Sequence, residues 1–181
     1  MELLIVITII IILAALVLGT MGYVQKKAAR SRAEAEIAGL SAACENYKAD
    51  NGTYPTDPNG TSNNLDPRAD LDANSTKYQN ASLGLYNLLA GMANGSRVAT
   101  GTAKSYFTFK PNMLYPTDQA LNVTYIRDPF GNSYGYSTAY QADLTAAPTS
   151  IPTRGYNPTF DLWSTAAGKT QADTVQWIKN W

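Results

Sequence analysis

The chain begins with a long hydrophobic run that contains no charged position. From Leu3 to Tyr23 there is no Asp, Glu, Lys or Arg, and Leu3 to Leu18 are almost all Leu, Ile, Val or Ala. An uncharged helix of about 20 residues spans roughly 30 Å, the thickness of the hydrocarbon core of a bilayer. The pattern therefore predicts a hydrophobic, membrane-spanning helix over residues 1–23.

The hydrophobic pattern then changes to one typical of an amphipathic helix. Residues 24–52 are rich in Ala, Glu, Lys and Arg and contain no proline, a composition that favours helix. Ile37, Leu40, Cys44 and Tyr47 have the spacing of one helix face, so we expect this face to pack on a globular domain. Gly52 is a suitable helix end. The two halves predict one rod of about 50 residues, roughly 75 Å long.

Residues 53–181 show the mixed pattern of a small α+β domain, the head. The sequence predicts a polar loop from Thr56 to Asn80 and a short helix over Ser82–Met92. Its expected inner residues are Leu85, Leu88, Leu89 and Met92. Strands are predicted around Phe107 and Phe109, from Tyr134 to Tyr136, over Phe160–Ser164 and over Val175–Ile178. We expect three or four of them to form an antiparallel sheet that packs on the Ile37–Tyr47 face.

Composition excludes several classes of function. The 181 residues contain 14 basic and 14 acidic side chains and only 15% charged residues, so nothing indicates nucleic-acid binding. There is no histidine, which removes the commonest general base and zinc ligand. Cys44 is the only cysteine and is expected to be a buried small hydrophobic residue. The sequence predicts that the protein is not an enzyme.

Glu2 is the one acidic residue at the tip of the hydrophobic run. A carboxylate there is costly in lipid unless a cation pairs with it, so a functional role is the first hypothesis. The alternative is a helix-end acid that lies among lipid headgroups. With Glu2, the sequence Met1-Glu2-Leu3-Leu4-Ile5-Val6-Ile7 resembles the mature start of type IV pilins and type II secretion pseudopilins. On this resemblance Met1 takes the place of the residue before the family's glutamate.

Two later regions extend the resemblance over most of the chain, with gaps in its middle. Leu40 to Pro55 is similar to the end of the long helix in major pseudopilins. The Asp128–Tyr136 turn and strand and the Phe160–Ser164 strand are similar to pseudopilin segments. The long Thr56–Asn80 and Arg97–Tyr125 segments depart from that pattern. The resemblance implies the pilin fold, a long N-terminal helix packed on a small antiparallel head.

The resemblance implies a structural subunit of a pilus-like filament. The hydrophobic helix would be an inner-membrane anchor before assembly and the filament core afterwards, in an extracellular or periplasmic fibre. The partners would be copies of the same chain, the inner-membrane assembly machinery and, before assembly, prepilin peptidase. A methylated N-terminus is part of the same expectation. The expected assembly residues are Glu2, Leu3, Leu4, Ile5 and Val6, with Glu2 neutralising the terminal amine of a neighbouring copy.

Two alternatives to a pilus subunit stay open at this point. One is a major pseudopilin that acts as a piston in type II secretion. The other is a monomeric, membrane-anchored binding or enzymatic domain, although the sequence offers no constellation of catalytic groups. Roles in adhesion, motility or DNA uptake are not distinguished by the sequence.

Basic residues follow the hydrophobic run and bear on its orientation. Lys26, Lys27, Arg30 and Arg32 would place this side in the cytoplasm by the positive-inside rule. The resemblance implies the opposite orientation, since the leader of this family is basic and is removed only later. We follow the family orientation.

Gly19 and Gly22 are the expected hinge of the rod. Each glycine costs about 1 kcal/mol of helix propensity relative to alanine. In lipid, small residues also allow close helix packing, and in pilins the matching region loses helicity in the filament. Both interpretations stay open.

Calcium is the one cofactor that the sequence suggests. Asp70, Asp72 and Asn74 copy the start of an EF-hand loop, but Ser75 replaces the turn glycine and Ala81 stands at the position of the bidentate glutamate. A solvated acidic loop is therefore favoured. Major pseudopilins hold calcium after the strand that matches Phe160–Ser164, where only Asp173 remains here. No cofactor is predicted, and these four residues are the calcium candidates.

Overall fold

The computed structural model describes residues 2–98 and 103–181, without the side chains of residues 2, 15 and 17–20. Its first element is α1, Glu2–Asn51, a helix of 50 residues. Gly52 ends it in the left-handed conformation at φ 77° and donates its backbone N–H to the Lys48 carbonyl at 2.8 Å. The predicted long rod and its glycine end are therefore present in the single chain.

The head follows α1 as a mixed α+β unit. Its helices are α2 (Thr61–Asn64), α3 (Thr76–Ala90) and α4 (Ala139–Ala146), and its strands are β1 (Leu114–Tyr115), β2 (Tyr125–Ile126), β3 (Gly135–Ser137), β4 (Asp161–Ser164) and β5 (Ile178–Lys179). Two short 3-10 helices cover Pro111–Met113 and Gln171–Gln176. The predicted α+β class is confirmed.

The strands form two small antiparallel sheets. β1 pairs with β2, and β4 lies between β3 and β5 in a three-stranded sheet. In the larger sheet Tyr136 is opposite Leu162, and Ser164 is opposite Ile178. Side chains that lie opposite each other on neighbouring strands point to the same face of the sheet. On this face Tyr136, Leu162 and Ile178 pack into the main core beside α1.

The second half of α1 forms one wall of the main core. Ala33, Ile37, Leu40 and Cys44 lie on one face and are all buried. Leu85 and Leu89 of α3 belong to the same cluster. A second, smaller core surrounds Trp163. Its other buried members are Leu65, Ala73, Tyr78, Ala81 and Trp177.

The helix expected over Ser82–Met92 begins earlier and ends earlier. Ser75 caps α3 by accepting a hydrogen bond from the Tyr78 N–H, and Gly91 ends it at φ 69°. The predicted start was wrong because the first turn of α3, although mostly polar, contains Tyr78, which is completely buried in the second core. The predicted loop Thr56–Asn80 therefore contains α2 and the start of α3.

The strand expected around Phe107 and Phe109 is not a strand. The N–H groups of Tyr106 and Phe107 both donate to the Leu89 carbonyl at the end of α3. The segment therefore covers a helix end instead of joining a sheet. The ring of Phe107 would lie 3.3 Å from a Cβ at Gly39, so the small residue lets it approach α1. The segment expected as a strand at Val175–Ile178 is a 3-10 helix followed by β5, and α4 was not predicted.

Candidate assembly surface

The first half of α1 exposes hydrophobic side chains along its length. The exposed fraction of its large hydrophobic side chains runs from 44% at Ile7 to 73% at Leu3. Among the described side chains they are Leu3, Leu4, Ile5, Val6, Ile7, Ile9, Ile10, Ile11, Ile12, Leu13, Leu16, Met21, Tyr23 and Val24. No element within residues 2–98 and 103–181 covers this surface, unlike the face that begins at Ala33.

The exposed hydrophobic surface surrounds the helix and is not a stripe. Ile9 to Leu13 are five consecutive positions, each 52–61% exposed. Successive residues of an α-helix are turned by about 100°, so these five cover a full turn. A helix that is hydrophobic on all sides is normally buried, in a core or in a membrane. The geometry therefore calls for partners on every side of α1.

The head first closes on α1 around Arg30. Every described side chain from Leu3 to Ala28 is exposed, and Ala33 is the first buried one. The Arg30 guanidinium donates to the Gln176 carbonyl at 2.9 Å and lies 3.3 Å from the Glu34 carboxylate. About 40 Å of helix thus extends beyond the head.

A second contact fixes the helix on the head six residues further on, at Glu36. The Tyr134 hydroxyl donates to Glu36 at 2.8 Å, and Arg32 pairs with the same carboxylate at 2.7 Å. Burial is the main cause that raises the pKa of Tyr134, and the Glu36 charge adds to it. Its hydroxyl therefore stays a donor. Sequence reasoning missed both head contacts; the Arg30–Glu34 and Arg32–Glu36 spacings indicate only the ion pairs within α1.

The expected assembly residues lie on this surface where they are described. Leu3, Leu4, Ile5 and Val6 are 55–73% exposed. Glu2 is the first residue of α1, but its side chain lies outside the described residues. The expected pairing of that carboxylate stays a prediction.

The expected hinge residues are helical in the single chain. α1 runs through Gly19 and Gly22 without interruption. A Cβ at Gly22 would have no atom within 4 Å. Packing inside the chain therefore does not require glycine at position 22.

The expected head-packing residues contact the main core. Ile37, Leu40 and Cys44 are buried there, and Tyr47 is partly buried against it. The Tyr47 ring meets the Tyr106 ring edge-on with centroids 5.1 Å apart. Burial raises the pKa of the Cys44 thiol, which keeps it neutral and unreactive.

The calcium candidates are engaged with the protein itself. Asp70 accepts from the Asp66 N–H at 2.8 Å and pairs with Lys77. Asp72 accepts from the Asn74 N–H at 3.0 Å. Asp173 completes a capping box with Thr170, and these hydrogen bonds lower its pKa. Within residues 2–98 and 103–181, no three His, Cys, Asp or Glu side chains converge as a metal site.

The described part of the chain holds no helix whose length and hydropathy suffice to cross a membrane.

The chain was compared with known proteins at the levels of sequence and fold. No protein-family model, curated protein or solved structure matches it.

Proposed function

We propose that the protein is a structural subunit that polymerises into a type IV pilus-like filament through the first half of α1. The observation that supports this most is that the described large hydrophobic side chains from Leu3 to Val24 are exposed on all sides of the helix. The head closes its own core on the second half of the same helix. Copies of the chain can therefore bundle their first halves without unfolding the heads.

The proposal assigns two successive environments to the first half of α1. Before assembly it is held in the inner membrane, and afterwards neighbouring helices replace the lipid. The head stays outside the membrane throughout. Glu2 pairs with the terminal amine of a neighbouring copy and sets the register along the fibre. A desolvated pair of this kind specifies position more than it adds stability.

The test is electron microscopy of the full-length chain after removal of detergent. Filaments with a core of packed helices are expected. Glu2→Ala should reduce filament yield or disturb the register, while the head keeps its thermal unfolding transition. Glu45→Ala is the matched control, because Glu45 is an exposed acid of the second half of α1. Wild-type yield and register in Glu2→Ala would refute the pairing role.

A secretion pseudopilin is the second candidate for the same geometry. It is favoured by the likeness of the Asp128–Tyr136 and Phe160–Ser164 segments, which form the turn before β3, β3 itself and β4. Deletion of the gene in its own host separates the two functions. Loss of surface fibres supports the pilus, whereas retention of secreted proteins in the periplasm supports the pseudopilus.

A further inference from the structure

A groove lies where the head meets the exposed half of α1. We call it the basal groove. It has a volume of about 530 Å³. It is lined on the α1 side by Tyr23, Lys26, Lys27 and Arg30, and on the head side by residues that include Phe130 and Ala167. One side is thus a row of cations and the other is apolar.

The cations of the groove differ in how far they are neutralised. Arg30 is held by the Gln176 carbonyl and by Glu34. Lys26 and Lys27 are exposed and form no ion pair with the described acids of the chain. The groove therefore presents at least two positive charges that the folded chain does not neutralise.

The position of the groove matches the level of lipid headgroups. Lys26 lies three residues beyond Tyr23, which is about 4.5 Å along the helix axis. Tyr23 is 71% exposed and ends the uncharged run, and tyrosine is enriched where hydrocarbon meets water. On the head side, Val175 is 83% exposed beside Gln176 in sequence. Exposed apolar side chains and cationic side chains thus lie close together near the end of the uncharged run.

We propose that the basal groove binds the headgroup of an anionic phospholipid while the first half of α1 is in the membrane. Lys26 and Lys27 contact the phosphate, and Tyr23 and Phe130 contact the glycerol and the first methylenes. This inference rests on the membrane-held stage of the proposed function. Its consequence is that an anionic lipid fixes how deeply the head sits before assembly.

A second copy of the chain is a less suitable occupant. Of the nine acids of the head, only Asp72 and Asp118 are exposed, and Asp70 and Asp143 already pair with cations. A neighbouring head therefore offers less free negative charge than a lipid phosphate does. Lysines at an anionic membrane surface each gain about 1 kcal/mol, which corresponds to roughly fivefold in binding.

The experiment is native mass spectrometry of the full-length chain in a neutral detergent. The protein is titrated separately with phosphatidylglycerol and phosphatidylcholine, and the ratio of the two first-site affinities is measured. We expect a preference of roughly 25-fold for phosphatidylglycerol, about fivefold for each of the two lysines. Lys26→Gln with Lys27→Gln should lower that ratio at least about fivefold, whereas Lys26→Arg with Lys27→Arg should keep it.

The matched control removes two exposed lysines that do not line the groove. Lys110→Gln with Lys179→Gln changes the same charge, and neither lysine forms an ion pair with the described acids. It should leave the lipid preference at the wild-type ratio. An unchanged ratio in the Lys26/Lys27 glutamine variant, or an equal fall in the control, would overturn the inference.

Filament assays separate this inference from the proposed function. If the Lys26/Lys27 glutamine variant keeps the lipid preference but loses filaments, the groove belongs to a neighbouring copy and the inference is refuted. If the wild-type chain forms no filaments yet shows a preference that depends on these lysines, the inference stands and polymerisation fails.

Discussion

The two halves of α1 have the same backbone and opposite surroundings. In the second half, a face with Ala33, Ile37, Leu40 and Cys44 is buried and the rest of the helix carries charges. In the first half, Ile9 to Leu13 are exposed on all sides. The same secondary structure therefore serves two tasks, and the distribution of hydrophobic residues around the helix distinguishes them.

This difference shows which half stabilises the folded monomer. Burial of hydrophobic surface contributes to folding only where folding removes that surface from water. The second half meets this condition inside one chain. The first half meets it only with other molecules, so its energetic contribution belongs to assembly or to the membrane.

Deletion of residues 1–23 is expected to have the largest effect on assembly and little effect on the head. The product should be a soluble monomer that unfolds cooperatively, because the core cluster begins at Ala33. Analytical ultracentrifugation and urea denaturation measure both properties. A molten or aggregated product would show that the head needs the first half of α1.

The same substitution placed in each half tests the comparison directly. Leu40→Ala should lower the free energy of unfolding of the head by about 2–5 kcal/mol, since Leu40 is completely buried. Leu13→Ala should leave it within about 0.5 kcal/mol, since Leu13 is 57% exposed. Leu13→Ala should lower filament yield although the head keeps its stability. Leu40→Ala should lower filament yield less for each kcal/mol of head stability that it removes. Equal losses of head stability would contradict the division of α1.

The sequence predicted those features that depend on neighbouring residues. The length of α1 follows from helix-forming composition and from Gly52, and the buried face follows from the spacing of Ile37, Leu40 and Cys44. β3 and β4 lie within a residue or two of their expected positions. These signals are local, so periodicity and turn residues are enough to find them.

The features that were missed depend on contacts between distant segments. The coil at Phe107 is held by the Leu89 carbonyl and by the space at Gly39. Arg30 and Gln176, which close the candidate surface against the head, are 146 residues apart. An alternating pattern cannot tell a strand from a coil that covers a helix, because Phe107 and Phe109 are both partly buried against the main core from a coil.

The head should also respond to pH through Asp161. This carboxylate is 1% exposed and accepts the Tyr156 and Asn157 N–H groups at 2.8 and 2.9 Å. Burial raises its pKa from 3.8 to about 6, and Asp66 adds to the increase while the two N–H groups and Arg68 oppose it. The native state therefore binds more protons than the unfolded state between these values.

The sign of the pH effect follows from that difference in bound protons. Stability falls as pH rises through about 6, so the head should gain about 1 kcal/mol when the pH is lowered from 7 to 5. The pKa values of Asp143 and Asp173 are lowered. The stabilisation that their charged forms provide is therefore lost only at lower pH. Urea denaturation of the deletion product measures the gain. Asp161→Asn should reduce the gain and leave the part due to Asp128, whose pKa burial also raises, and an undiminished gain would assign it to other groups.

Substitution of Gly19 and Gly22 is expected to have the smallest effect on the single chain. It is also the sharpest test of the first half of α1. α1 is unbroken there, and Gly22 has open space where a Cβ would lie. Gly22→Ala should therefore raise local helix stability by about 1 kcal/mol, visible as slower amide exchange, and leave head unfolding unchanged.

In the filament the same substitutions should be unfavourable. Neighbouring helices can satisfy backbone groups that local unwinding frees, and an extended residue rises about 3.3 Å against 1.5 Å in a helix. Gly19→Ala with Gly22→Ala should reduce assembly or stiffen the fibre. A filament map with unbroken i to i−4 hydrogen bonds from Leu13 through Lys27 would refute unwinding. If the map is unbroken and the double variant still assembles poorly, the glycines act through close packing between helices. The only change in the variant would then be that the alanine methyl groups fill the space beside the helix.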